Sequence, residues 1–240
     1  MNSTLTVLFS ITALFLMFIS CAQPRKEELS GLKGAIEKIE KIEFMEVDSI
    51  NGKWLLTDKS YLRRTVQWFD REEYMLRDSL IYRHYKILLS AEYKYDKGKN
   101  VSAVWRDSTG TVVDKRIIEW KDDYTAVASQ LNSANSCLYK MYWFYNKQNV
   151  IERYIITGDC NTAEPDKNFE TKGTHEYGNN GLLKKSVTYD NPRNGEPVRI
   201  LKRERKILEV DDKGNPVIVL DTNEHKGKSK SITIYKYTYF

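Results

Sequence analysis

An aromatic or β-branched residue closely followed by Asp or Asn recurs along this chain: Phe69-Asp70, Tyr95-Asp96, Trp120 with Asp122, Tyr145-Asn146, Tyr177 with Asn179, and Val210-Asp211. Tyr237 continues the series without the turn. Successive anchors lie 25 to 33 residues apart, and the two longest intervals hold evident loop insertions, 158–173 and 190–197. Gly98, Asn149, Gly181 and Gly214 stand where the turns after several anchors need a positive φ. Asx side chains accept hydrogen bonds from backbone two residues on, and Gly or Asn tolerates the left-handed conformation. A period near 26 residues holds two strands of about ten residues and two tight turns. A four-stranded propeller blade needs about 40–45 residues, so that architecture is excluded.

The texture between the anchors agrees. Sixteen Tyr against 5 Pro and 12 Gly favour strands. Asn51-Gly52, between Val47–Ile50 and Trp54–Leu56, is a strong hairpin signal. The expected fold is therefore all-β: an antiparallel meander of repeated hairpins forming a twisted or rolled sheet over residues 44–240. Three segments also fit helices. Leu29, Leu32, Ile36 and Ile39 share a helical face, with Glu37 and Lys41 at i,i+4 spacing, although Gly31 and Gly34 oppose it. Residues 123–131 and 71–91 are the other two.

The first twenty residues carry no charge, and Leu5 to Ile19 is an apolar run. Spanning a bilayer takes about 20 apolar residues, so the run is too short for a membrane helix and has the length of a signal-peptide core. Phe18-Ile19-Ser20-Cys21-Ala22 follows, then a polar stretch from Pro24. This arrangement resembles the lipobox of bacterial lipoproteins. The resemblance implies cleavage before Cys21, acylation of that residue and a lipid-anchored protein on a Gram-negative outer membrane, since Ala22 is not the Asp that retains such proteins at the inner membrane. An ordinary cleaved signal peptide is the plainer alternative. The implied organisation is a signal peptide over 1–20, a lipidated tether over 21–43 and one β-repeat domain over 44–240.

Glu92-Tyr93-Lys94-Tyr95-Asp96-Lys97-Gly98, with Asp107-Ser108-Thr109-Gly110 and Trp120, resembles a degenerate YD or RHS-like repeat. Asp211 to Pro216, with Asp221 and Tyr235-Lys236-Tyr237, is similar to another. The resemblance implies a β-rich, secreted or surface-displayed protein that binds a carbohydrate or protein partner. Six copies are too few to enclose a cargo.

No catalytic constellation stands out. His84, His175 and His225 are isolated, and neither a metal-binding His pair, a nucleophile elbow nor a phosphate loop occurs. Asp190 to Gly195 offers oxygen ligands, but position twelve of a calcium loop there would be Leu201 instead of Glu. Arg199 to Lys206 splits on a strand into two faces and reads as a solvated surface. The excess of 38 basic over 33 acidic residues is too small and too dispersed for nucleic-acid binding. The expectation is a non-catalytic envelope lipoprotein without metal or cofactor, binding a glycan or protein partner through aromatic and basic side chains on one sheet face. Tyr235, Tyr237 and Tyr239 are the candidate platform. The alternative is an envelope glycan or peptide hydrolase with a scattered carboxylate pair.

With Cys21 lipidated, Cys137 and Cys160 remain as an even pair in an exported domain, where disulfides form. Strands over 138–145 and 150–157 joined by Asn146-Lys147-Gln148-Asn149 form a hairpin whose paired numbers sum to 295. The cysteines sum to 297, an offset that one bulge residue or a frayed end absorbs, so a bridge is expected.

Overall fold

The structure is a computed structural model that describes residues 29, 31–51, 53–57, 60–82, 88–192, 196–224 and 228–240. Strands follow one another along the chain: β1 (Ile36–Met45), β2 (Ser49–Ile50), β3 (Lys53–Trp54), β4 (Tyr61–Phe69), β5 (Met75–Tyr82), β6 (Leu88–Asp96), β7 (Lys99–Arg106) and β8 (Val112–Trp120). They continue as β9 (Thr125–Asn132), β10 (Cys137–Tyr145), β11 (Ile151–Thr157), β12 (Thr171–Tyr177), β13 (Leu183–Asp190), β14 (Arg199–Val210), β15 (Pro216–Glu224) and β16 (Lys228–Tyr239). From β4 onward each strand pairs antiparallel with the next, and β1 lies between β16 and β4. Fourteen of the described strands thus make a closed barrel, with β2 and β3 a separate small hairpin around Asn51. The meander expected from the repeat is present, and it goes further than a rolled sheet. Closure pairs both lateral edges, which an open sheet would leave as a template for aggregation.

Each repeat is one outward and one returning strand, so every anchor returns to the same end of the barrel, here the proximal end. Asp70 Oδ1 accepts hydrogen bonds from the backbone N–H groups of Glu72 and Tyr74, and Asp211 Oδ1 accepts those of Lys213 and Asn215. Asn146 Oδ1 receives Gln148 N–H in the same way. In each of these turns the fourth residue has positive φ: Glu73, Gly214 and Asn149. The distal turns starting at Asp107 and Asn132 repeat the device. Side-chain chemistry thus sets both turn type and register.

All three helical alternatives give way to strand. Residues 36–45 form β1, 125–132 form β9, and 75–82 and 88–96 form β5 and β6; the described residues contain no α-helix. Ile36 and Ile39 are β-branched and wholly buried, and closing the barrel gives β1 a partner on each side, which outweighs a weak helical period. The barrel accordingly begins before residue 44. Just ahead of β1 the chain crosses the proximal end. Leu29 is fully buried against Ile36, Ile39, Phe69 and Met75. A Cβ on Gly31 would lie 2.5 Å from the carbonyl oxygen of Asn180, so only glycine passes there. Asn215, itself buried, clamps the next turn: its Oδ1 accepts Lys33 N–H at 2.6 Å and its Nδ2 donates to Lys33 O at 2.8 Å.

At the distal end Cys137 and Cys160 form a disulfide with Cα atoms 6.4 Å apart. The β10–β11 pairs, such as Met141↔Ile156 and Phe144↔Arg153, sum to 297: the turn closed by Asn146 and Val150 shifts the simplest hairpin by one, and a bulge before Tyr145↔Ile151 supplies the second step.

Candidate functional site

Residues paired across a register share a face of the sheet, so one chain of partners divides lumen from exterior. Ile39, Gln67, Asp78, Ala91, Trp105 and Asp114 face the lumen in successive strands. Farther round, Arg205, Asp221 and Ser231 do the same. The lumen is polar and aromatic. Arg205 holds Asp221 in a bidentate pair at 2.8 Å for both bonds, and Asp221 is buried. Arg203 donates to Asn223 Oδ1 at 3.0 Å, Arg116 to Gln130 Oε1 at 3.1 Å, and Arg63 pairs with Glu43. The side chains of Arg199 to Lys206 therefore do not form one solvated surface. Lys202, Glu204 and Lys206 are exposed on the outside, whereas Arg203 and Arg205 reach inward.

The tyrosine platform is corrected likewise. Tyr235, Tyr237 and Tyr239 share one face, as their spacing requires, but that face lines the barrel. Tyr237 donates to Pro216 O at 2.8 Å, and burial pushes the Tyr235 and Tyr237 hydroxyls up from the usual tyrosine range. An open sheet would have left them exposed; closure turns them inward.

Two cavities open near the proximal end, and Lys41 borders both. The smaller, about 190 Å3, lies under the N-terminal segment at Leu32 and reaches Tyr177, Arg205 and Tyr237. The larger, about 460 Å3, is walled by Tyr93, Tyr95, Trp120, Trp143 and Tyr145 and by the cations Lys41, Lys99 and Arg116. Three of the repeat's anchors, Tyr95, Trp120 and Tyr145, are in this wall. Trp120 and Tyr145 stack with centroids 5.1 Å apart, as the recurrence leads one to expect of neighbouring anchors. Arg116 sits between Trp105 and Trp143, its guanidinium 4.6 and 5.5 Å from their ring centroids. The charge it senses across the lumen includes Asp78, whose carboxyl burial pushes up despite a 3.0 Å hydrogen bond from Tyr93. Basic and aromatic side chains thus share a cavity wall that also holds Asp123, the ion-pair partner of Lys99.

His175, the one described histidine, stacks on Tyr154 at 5.4 Å beside Tyr177, and its Nδ1 is buried without a hydrogen-bond partner. Burial, then Arg203 and Arg205, hold its pKa below 6.5. The folded barrel keeps the imidazole neutral while the unfolded chain takes up a proton as pH falls through about 6.5, so His175 contributes stability that is lost on acidification. The melting temperature should fall more steeply between pH 7.5 and 5.5 in the native protein than in His175→Gln. Parallel profiles would refute this linkage.

The exterior is charged at mid-height as well as at the rims. Glu204, central in β14, pairs with Lys185 at 3.1 Å, and Arg64 pairs with Glu40 at 3.0 Å. Glu92, Lys94 and Glu119 are exposed on other strands. A membrane-spanning barrel presents an apolar band about 25 Å tall, and each Arg or Lys at its midplane costs about 2–4 kcal/mol. This wall has no such band among its described residues.

Cys21, His84, His225 and Arg193 to Gly195 of the oxygen-rich turn lie outside the described residues. No group of three metal-ligating side chains occurs among the described residues. None of the described helical segments is long and apolar enough to cross a membrane. The lumen of aromatic and charged side chains was not read from the sequence. Its signal was present in the recurring aromatic anchors, which acquire a common destination only when the strand number and closure are known.

Comparison with solved structures finds a porin-like protein from Bacteroides uniformis, 12% identical, with a TM-score of 0.45 over 85% of this chain and 98% of that one. No protein-family model and no curated protein sequence matches the chain.

Proposed function

We propose that this protein is a non-catalytic envelope lipoprotein whose barrel stands in water, anchored to the outer membrane by acylated Cys21, and receives a small polar ligand in its lumen. The observation that carries the reading is the inversion of polarity: ion pairs at mid-height outside, stacked aromatics with cations inside. A charged exterior suits water, and a lipid anchor supplies membrane attachment without a spanning wall. An exported location also suits the Cys137–Cys160 bridge. The N-terminal segment enters β1 at the proximal end, so an anchor at Cys21 turns that end and its larger cavity toward the membrane. Only seven residues separate Cys21 from Leu29, a reach of roughly 25–30 Å.

The test is fractionation. Full-length protein is expected with the membranes and to require detergent for release, while Cys21→Ser is expected in the aqueous fraction, folded and without detergent. Retention of Cys21→Ser in washed membranes would show that the barrel wall itself is embedded and would overturn the proposal.

A further inference from the structure

Resting on the reading of the lumen as a water-filled binding site, we infer that the larger proximal cavity takes a small neutral saccharide, held by ring contacts and by a hydroxyl donated to Asn100. Three features of the cavity wall converge on that chemistry.

The first is a missing donor. Asn100 stands opposite Tyr95 on the lumen side, and its side-chain oxygen is buried in the wall with no hydrogen-bond partner. Its main-chain oxygen is already in use, accepting from Trp120 Nε1 at 2.9 Å. An amide oxygen takes two hydrogen bonds, and a buried one left unmet is costly. A saccharide hydroxyl supplies the donor and needs no charge to do so.

The second is the rings. Tyr95, Trp120, Trp143 and Tyr145 border the cavity. Trp120 and Tyr145 stack on each other, and Lys99 Nζ lies 4.8 Å from a Trp120 ring centroid, so the cavity meets ring edges as well as faces. An aromatic face is negative and its edge positive; the face attracts C–H groups and the edge attracts hydroxyl oxygens. A pyranose carries both, C–H groups on its flat sides and hydroxyls around its rim. A wholly apolar ring would strip water from the polar groups of the wall and return no hydrogen bond. The volume of about 460 Å3 lies within the range of about 300–1,000 Å3 usual for small-molecule sites.

The third is that the cations of the wall are engaged. Lys99 Nζ pairs with Asp123 at 2.9 Å and donates to Asp122 O at 3.1 Å. Arg116 donates to Gln130 Oε1 at 3.1 Å and lies between Trp105 and Trp143. Lys41 is engaged too, and Asp78 and Asp114 face the same lumen. A ligand ion would lose its hydration here to meet partners already taken, whereas a neutral polyol has no such charge to desolvate.

The experiment uses the mature chain carrying Cys21→Ser, purified without detergent, with tryptophan fluorescence and calorimetry as readouts. At least one of D-glucose, D-galactose and D-mannose is expected to bind saturably, at least tenfold more tightly than indole, and inorganic phosphate should not compete. D-glucuronate should bind no more tightly than D-glucose. Asn100→Leu should weaken the bound sugar at least tenfold without lowering the melting temperature, because it deletes an unmet acceptor and leaves the main-chain bond to Trp120. If Asn100→Leu does not fold, Asn100→Ala carries the same affinity expectation, and Lys202→Gln on the exterior should change nothing. Failure of all three sugars to bind the folded protein would overturn the inference. So would indole that matches them, glucuronate that exceeds glucose tenfold, or an unchanged affinity in the folded Asn100 variant. A protein that folds only in detergent would instead defeat the envelope reading on which the inference rests.

Discussion

Asp221→Ala is expected to destabilise the barrel by about 3–5 kcal/mol, because it strands the Arg205 guanidinium in the lumen without its anion. Both carboxylate oxygens accept from Arg205 at 2.8 Å, and Asp221 is 4% exposed. Burial alone would lower the arginine's pKa; the hydrogen bonds to Asp221, together with the electrostatic pull of Tyr235, Asp221 and Glu43, outweigh it and leave the value raised. Removing the carboxylate leaves the cost of burial and deletes what offset it. Asp221→Asn keeps one acceptor and should fall between the two. The paired replacement Arg205→Met with Asp221→Leu removes both charges and should recover most of the loss, since apolar pairs of similar volume commonly match buried ion pairs. Urea unfolding measures all three. A loss below about 1 kcal/mol in Asp221→Ala would mean that water in the adjoining cavity solvates Arg205 and that the pair is not structural.

The contrast between this ladder and the turns shows how far the sequence could be read. Turn chemistry is local: Asp70, Asn146 and Asp211 each accept from N–H groups two and four residues ahead, so the hairpins and their period are visible in a string of letters. Alternation along β14 is local too, and it correctly divides Arg203 and Arg205 from Lys202 and Lys206. What alternation cannot say is which face is inside. That depends on β1 meeting β16, a pairing of Ile36 with Tyr239 across almost the whole described chain. Until the sheet closes, Tyr235 and Tyr237 look like an exposed platform; once it closes, they are interior. The same long-range pairing converts the segment around Ile39 from an amphipathic helix into a strand. The lumen's aromatic wall was half visible, as anchors at Tyr95, Trp120 and Tyr145, but their convergence on Arg116 and Lys41 joins strands far apart in sequence.

Loss of the Cys137–Cys160 bridge, through Cys137→Ala with Cys160→Ala, is expected to cost about 3–4 kcal/mol, the loop-closure entropy of a cross-link spanning 23 positions. For a domain of this size that corresponds to a fall in melting temperature of roughly 6–16 °C. The bridge ties the start of β10 to the long connection after β11, which folds back on the outside of the wall: Asp166 pairs with Arg153, and Lys172 Nζ lies 4.1 Å from the ring centroid of Phe169. Ile155 and Thr157, on that outward side, are fully buried in consequence. The β10–β11 ladder has its own hydrogen bonds from Lys140↔Thr157 inward, so the variant should still close as a barrel, with the loop over Ile155 loosened. Hydrogen exchange should accelerate at Ile155 and Thr157 while the proximal turns keep their protection, since the lumen cavities lie at the other end of the strands. Global stability and local exchange separate two roles for the bridge. A fall in stability with unchanged exchange at Ile155 would assign its effect to the unfolded chain alone; unchanged stability would show that no such constraint operates and would refute the prediction.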